Sequence, residues 1–201
     1  MNFSSIRGRI HFESGFLYDG ENMKKKYLGA MLTTLLLVLT GAACAAESVQ
    51  KDYDAAAQAI AHDFTQRETA AFDRALDANT IIANALNDLV ADAGWKEGLR
   101  RELNTVIKTK LGSKLISQMP EGAYAKVLRT RADGKKALAL IRLDYGDAGT
   151  GYMDLHLVRG KDGAVRIVDW YDYSTGQLYT QSLRQLIGVM SPTPTIMGKL
   201  F

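Results

Sequence analysis

The sequence predicts an α+β domain: N-terminal helices packed on a curved, four-stranded antiparallel meander, followed by a C-terminal helix. Three observations carry this expectation. Apolar residues recur at helical spacing as far as Leu115, the period changes to two beyond Met119-Pro-Glu-Gly122, and helical spacing returns at Tyr179.

The elements follow in order. Asp54 to Thr65 places Ala57, Ile60, Ala61 and Phe64 on one helical face, and Glu68 to Leu76 continues with Ala71, Phe72, Ala75 and Leu76. Ile81, Ile82, Ala85, Leu86, Leu89 and Val90 form an amphipathic stripe that Asn79 or Thr80 would cap and Gly94 would end. Lys96 to Leu115 turns Leu99, Leu103, Val106, Ile107 and Leu111 inward and leaves Lys108, Lys110 and Lys114 on a solvated face. Tyr124 to Arg131, Lys136 to Asp144, Tyr152 to Arg159 and Ala164 to Tyr173 read as strands. Asp133-Gly134 and Gly160-Lys-Asp-Gly163 are hairpin turns, and Gly146 to Gly151 is a longer loop. Ser174-Thr-Gly176 closes the sheet, Tyr179 to Met190 is a helix with Leu183, Leu186 and Ile187 along one side, and a loose tail occupies 191–201. Residues 46–190 thus have the usual size of one domain.

Ahead of that domain stands a leader. Met23-Lys-Lys-Lys-Tyr27 is a positive start, Leu28 to Thr40 is apolar, and Gly41-Ala-Ala-Cys-Ala-Ala46 is small, the order of a secretory signal over residues 23–45. The apolar run is shorter than the roughly 20 residues of a membrane span. Residues 1–22 carry no such pattern and read as a non-native extension before a start at Met23. Two cuts fit. Ala43-Cys44-Ala45 suits ordinary signal peptidase and yields a periplasmic chain. Cleavage before Cys44 would instead make its thiol a lipid attachment point, with Gly41 standing where such sites usually carry leucine. Either way the chain is exported, and its contact with membrane comes only through the signal or a lipidated Cys44.

Composition excludes several chemistries. Of 25 Lys and Arg and 22 Asp and Glu, residues 1–45 hold five bases and three acids, leaving 20 against 19. No basic stripe with interleaved aromatics follows, so nucleic acid is not expected as a partner. One cysteine cannot form an internal disulfide, a redox pair or a thiolate metal site, and His11, His62 and His156 are the only histidines. Neither a metal nor a cofactor is expected. His62, beside Phe64, reads as a half-buried helix residue. Asp144, Asp147 and Asp154 lack the spacing of a calcium loop, and no hydrolase, zinc-protease or phosphate-loop motif is present.

Arg142-Leu-Asp-Tyr-Gly-Asp147, Tyr152-Met-Asp-Leu-His-Leu157 and Val165-Arg-Ile-Val-Asp-Trp-Tyr-Asp-Tyr173 resemble a domain of uncharacterised exported bacterial proteins. In some of these the domain precedes tetratricopeptide helices, which do not follow here. Helices feeding a curved meander also resemble the nuclear-transport-factor-two-like, or cystatin-like, α+β roll found in ketosteroid isomerase and scytalone dehydratase. The likeness covers about Lys51 to Met190 and implies a fold, with no activity attached.

A two-residue loop at Lys161-Asp162 would pair Gly160 with Gly163, and hence Val158 with Val165, His156 with Ile167, Asp154 with Asp169 and Tyr152 with Tyr171. Alternation then gathers Tyr152, Asp154, His156, Asp169 and Tyr171 on one face, with Met153, Leu155, Leu157, Val168 and Trp170 on the other. Two facing carboxylates beside a histidine and a tyrosine, with Arg142 or Lys126 near, could form an acid–base pocket. Ketosteroid isomerase places an Asp base, a Tyr and a protonated Asp on a similar roll. The same pattern also describes any half-solvated antiparallel sheet. The leading expectation is therefore a non-enzymatic binding or adaptor module of the cell envelope, assembling with itself or another protein. Its candidate face is Tyr152, Trp170, Tyr171 and Tyr173, for which clustered aromatics suit protein contact. The alternative is a small-molecule enzyme or carrier using Asp154, His156, Asp169 and Tyr171.

Overall fold

The computed structural model describes residues 47–190. The leader, Cys44 and the 191–201 tail lie outside the described residues. Among the described residues, five helices cover one face of a five-stranded antiparallel sheet ordered β1-β2-β3-β4-β5. The helices are α1 (residues 47–66), α2 (Ala70–Ala75), α3 (Ala78–Leu86), α4 (Ala93–Gln118) and α5 (Tyr179–Met190). The strands are β1 (Tyr124–Asp133), β2 (Lys136–Asp144), β3 (Thr150–Arg159), β4 (Val165–Asp172) and β5 (Gln177–Leu178).

The core forms where the helical stripes meet the inner face of the pleat. Tyr53, Ala57, Ile60 and Phe64 of α1, Phe72 of α2 and Ile81, Ile82 and Ala85 of α3 are buried with Ala139, Ile141, Leu155, Leu157 and Ile167 of the sheet. Tyr53 also ties the layers together, its hydroxyl accepting from the Arg159 amide at 3.1 Å. Trp170 stacks on Tyr179 of α5 with centroids 4.0 Å apart, and meets Phe72 edge-on at 6.1 Å.

Charged side chains hold the helix ends. Orphan amides at a helix N-terminus favour a carboxylate, and orphan carbonyls at the C-terminus favour a cation. Asp63, buried in α1, accepts from the Ala71 and Phe72 amides that begin α2. Asp77 accepts from Thr80 of α3, and Asp92 from Trp95 of α4. At the other poles, Arg67 donates to the carbonyls of Ile116, Met119 and Pro120, where α4 ends. Arg184 donates to those of Asn84 and Ala85 in the last turn of α3. Arg67 adopts φ 59°, the left-handed residue after α1, and Glu68 N–H closes back on Asp63 C=O at 2.8 Å.

Several expectations change here. The sheet has a fifth strand. Asp172 accepts from the Ser174 amide at 2.8 Å and turns the chain so that Gln177 and Leu178 pair with Asp172 and Tyr171. Asp77 is the cap of α3, in place of Asn79 or Thr80. Gly94 lies inside the first turn of α4, where an added Cβ would stand 3.1 Å from the capping Asp92 Oδ1. Helix α4 packs mainly on α2 and α3, and of its stripe Ile107 is buried while Val106 is exposed. Val90 is exposed because α3 stops at Leu86, and Leu186 and His62 also face out.

The edge strand β1 is guarded by α1. Gln50 imitates a neighbouring strand: its Oε1 accepts from Ala132 N–H at 3.0 Å and its amide donates to Thr130 C=O at 3.2 Å. Nearer the start of β1, Thr65 Oγ1 accepts from Ala125 N–H at 2.9 Å. Such devices stop an edge from recruiting another strand.

Candidate functional site

No described helix lies over the outer face of the sheet, and its composition follows from the register. Cross-strand partners put Lys126, Arg142 and Tyr152 in one row, Arg129, Leu140, Asp154 and Tyr171 in the next, and Arg131, Leu138 and His156 in a third. Asp133, Lys136, Val158 and Arg166 make the last row.

The β3–β4 register departs from the expected one twice. The hairpin closes at Arg159 and Val165, because Asp162 Oδ1 folds back to accept from Ala164 N–H at 3.2 Å and widens the turn. A bulge beside Val168 then adds a second slip, so Asp154 faces Tyr171 and His156 faces Asp169. Asp154 and Asp169 are not cross-strand partners. The two slips add to two residues, which restores the alternation of faces beyond the bulge, so Trp170 faces inward and Tyr171 outward as alternation from the turn predicted. Between the turn and the bulge only the first slip applies: Ile167 is buried, and Val168 joins the outer face instead of the inner one.

The four pocket candidates do not converge. The Asp169 carboxylate is buried and serves α5: it accepts from Thr180 N–H at 3.2 Å and from Thr180 Oγ1 at 2.6 Å, and also from Trp170 N–H at 2.9 Å. Burial, reinforced by that nearby carboxylate, raises the Tyr179 phenol above its ordinary value. Asp154 accepts instead from the Tyr173 hydroxyl at 2.8 Å, and this bond is the main cause of an upward shift of the Tyr173 phenol. His156 is half-buried and makes no side-chain hydrogen bond among the described residues.

Of the candidate binding face, Trp170 is withdrawn into the core at 3% exposure, fixed by Tyr179 and Phe72. The three tyrosines do come together. Tyr173 meets Tyr171 edge-on with centroids 5.0 Å apart and Tyr152 at 6.3 Å. A fourth, Tyr124, was not anticipated; its hydroxyl accepts from Arg142 at 2.8 Å, and Arg142 also binds Asp144 at 2.7 Å. The Arg142 bond, with the Gly146 amide second, holds the Asp144 carboxyl below the usual range. Period-two alternation in β2 already carried the signal for Leu138, whereas Arg129 and Arg131 join Tyr124 and Lys126 on one face only because a register shift at Leu128 interrupts alternation in β1.

An open depression of about 440 Å³ lies on this face, floored by Leu138, Val158 and Val168 and rimmed by Arg131, Lys136 and His156. A cleft of about 520 Å³ elsewhere, between α1, α2 and the β3–β4 turn, is lined largely by alanines together with the Arg159–Asp52 ion pair.

No family model matches the sequence, and no curated protein is similar to it. Among solved structures, one similar chain is a phospholipid-binding protein from Ralstonia solanacearum, determined in complex with a phospholipid. The TM-score is 0.49 at 9% identity, covering 70% of this chain and 86% of that one.

Proposed function

We propose that this chain is a binding module of the bacterial cell envelope whose working surface is the outer face of the sheet, and that its partner is a protein. One observation carries the reading: Tyr124, Tyr152, Tyr171 and Tyr173 are held in fixed arrangement on a face that no described helix covers. Rings ordered in advance lose little entropy on contact and offer both apolar area and a hydroxyl. Export rests on the leader read from residues 23–45, with Cys44 as the attachment point if cleavage precedes it. The helix-then-meander order supports a nuclear-transport-factor-two-like roll. A catalytic pocket would need Asp154, His156, Asp169 and Tyr171 to converge, and Asp169 is held by Thr180.

The test is site-directed photo-crosslinking in cells. A photoreactive amino acid at position 152 is expected to yield a discrete adduct with one protein, whereas the same group at Glu97, exposed on α4, yields none. Adding Tyr173→Ser should abolish the adduct at 152. No adduct at 152, or equal adducts from both sites, would overturn the reading.

A further inference from the structure

We infer that the contact segment of that partner is acidic and extended, and seats an aliphatic side chain in the depression between Leu138, Val158 and Val168. This rests on the sheet face being the working surface and adds which chemistry it selects.

Charge on the face is unevenly satisfied. Of its acids, Asp144 is paired with Arg142 and Asp154 accepts from the neutral Tyr173 hydroxyl, while Asp133, at the edge of the depression, stands opposite Lys136 in the β1–β2 register without an ion pair among the described residues. Lys126, Arg129 and Arg131 on β1, by contrast, have no carboxylate within 4 Å among the described residues. With Lys136, four cations unpaired among the described residues therefore stand around the tyrosine cluster and the depression against two acids, Asp133 and Asp154, and the face keeps a positive excess. A second copy of the same face would bring two cationic rows together, which disfavours self-association here. Addition of a strand to the β1 edge is opposed by Gln50 and Thr65. The contact is therefore made on the face, through side chains.

The depression supplies the apolar half of the recognition. Leu138 is 45% exposed, and Val168 reaches the outer face because the widened hairpin shifts the register ahead of the bulge. The basin is open to solvent and large enough to admit a leucine- or valine-sized group. Arg131 and Lys136 on its rim would bind carboxylates flanking that group. A polyanion without apolar side chains would satisfy the cations and leave the basin empty.

The probe is a fluorescein-labelled Gly-Glu-Glu-Leu-Glu-Glu-Gly peptide, titrated against the purified full chain at low salt and read by anisotropy. Binding is expected to weaken about tenfold when serine replaces the probe's leucine, and to vanish when lysine replaces its glutamates. Leu138→Ser and Arg131→Glu should each weaken the original probe about tenfold as well. Both side chains are exposed, so unchanged thermal melts are expected to accompany the loss. A probe that does not bind, or binds equally well without its leucine or to Leu138→Ser, overturns the inference. So does tighter binding to an oligothymidylate or to anionic phosphatidylglycerol vesicles. The two readings fail separately. Crosslinking at 152 with no peptide binding removes the acidic-aliphatic partner alone, whereas loss of both removes the face as well.

Discussion

Replacing Asp169 by alanine tests whether this carboxylate is a structural cap or part of a reactive site. The change deletes three hydrogen bonds, to Trp170 N–H, Thr180 N–H and the Thr180 hydroxyl. Loss of an aspartate cap costs about 0.5–2 kcal/mol. A Thr180 hydroxyl left without a partner at 5% exposure adds about 1–3 kcal/mol. These contributions overlap, so a net loss of about 2–3 kcal/mol is expected, or about 5–10 °C in Tm for a domain of this size. Asp169→Asn keeps the acceptor at Oδ1 and offers an amide to the Thr180 hydroxyl, which can reverse its role. It should cost only about 1 kcal/mol, chiefly the charge at the α5 terminus. Thr180→Val should cost about 1–2 kcal/mol. Asp169→Ala combined with Thr180→Val should lose less than the sum of the two by about 1 kcal/mol, since no hydroxyl is left orphaned. Urea and thermal unfolding followed by circular dichroism give these values. An Asp169→Ala protein that melts within about 1 °C of the parent but no longer crosslinks through position 152 would show that the carboxylate serves the surface and not the helix.

Three further expectations concern other parts of the molecule. Arg67→Ala loses three bonds to the end of α4 and keeps the left-handed backbone, so it should cost about 1–3 kcal/mol; Arg67→Gly should recover about 1 kcal/mol of that loss in the same melts. Two glycines of α4 should respond with opposite signs: Gly98→Ala has open space and should stabilise by about 0.5–1 kcal/mol. Gly112→Ala drives a Cβ into Asp73 Oδ1 and to within 3.0 Å of Thr69 Cβ, and should lower Tm by forcing α2 away. Tyr173 should titrate above an ordinary tyrosine in a spectrophotometric pH titration, and Asp154→Asn should bring it down. Because its folded value is raised, its contribution to stability is complete below about pH 10 and is lost as pH climbs through the raised value.

Elements whose pattern is set by burial could be read from the sequence. The final helix is found at Tyr179–Met190 and the second strand at Lys136–Asp144, as periodicity placed them. Features set by single side chains folding back on the chain could not. Asp162 widened the hairpin and so turned Val168 outward, a bulge then returned Trp170 inward, and Asp172 redirected the chain into β5. Each is a local feature that leaves no periodic trace, and a slip of one residue exchanges the two faces of a strand. The site was legible to the same depth. Alternation put Tyr152 and Tyr171 on one face, and Tyr173 joined them only in a candidate binding face that also held the inward Trp170, whereas the fate of Asp169 depended on Thr180, eleven residues further along.

The fold also explains how a chain with nearly balanced charge acquires a cationic surface. Asp63, Asp77, Asp92 and Asp169 all serve helix N-termini, while Asp52 and Asp162 pair with Arg159 and Arg166. Among the described residues only two arginines, Arg67 and Arg184, are drawn into helix C-termini in return. Capping therefore removes more negative than positive charge from the set free to meet a partner, and the excess is left on β1. Edge strands tolerate such cations well, because lysine and arginine there discourage pairing with another sheet. On this chain Gln50 and Thr65 already guard that edge, so Lys126, Arg129 and Arg131 are more numerous than edge protection alone requires. Their position beside ordered tyrosines and an aliphatic depression makes recognition of an acidic partner the better account of them.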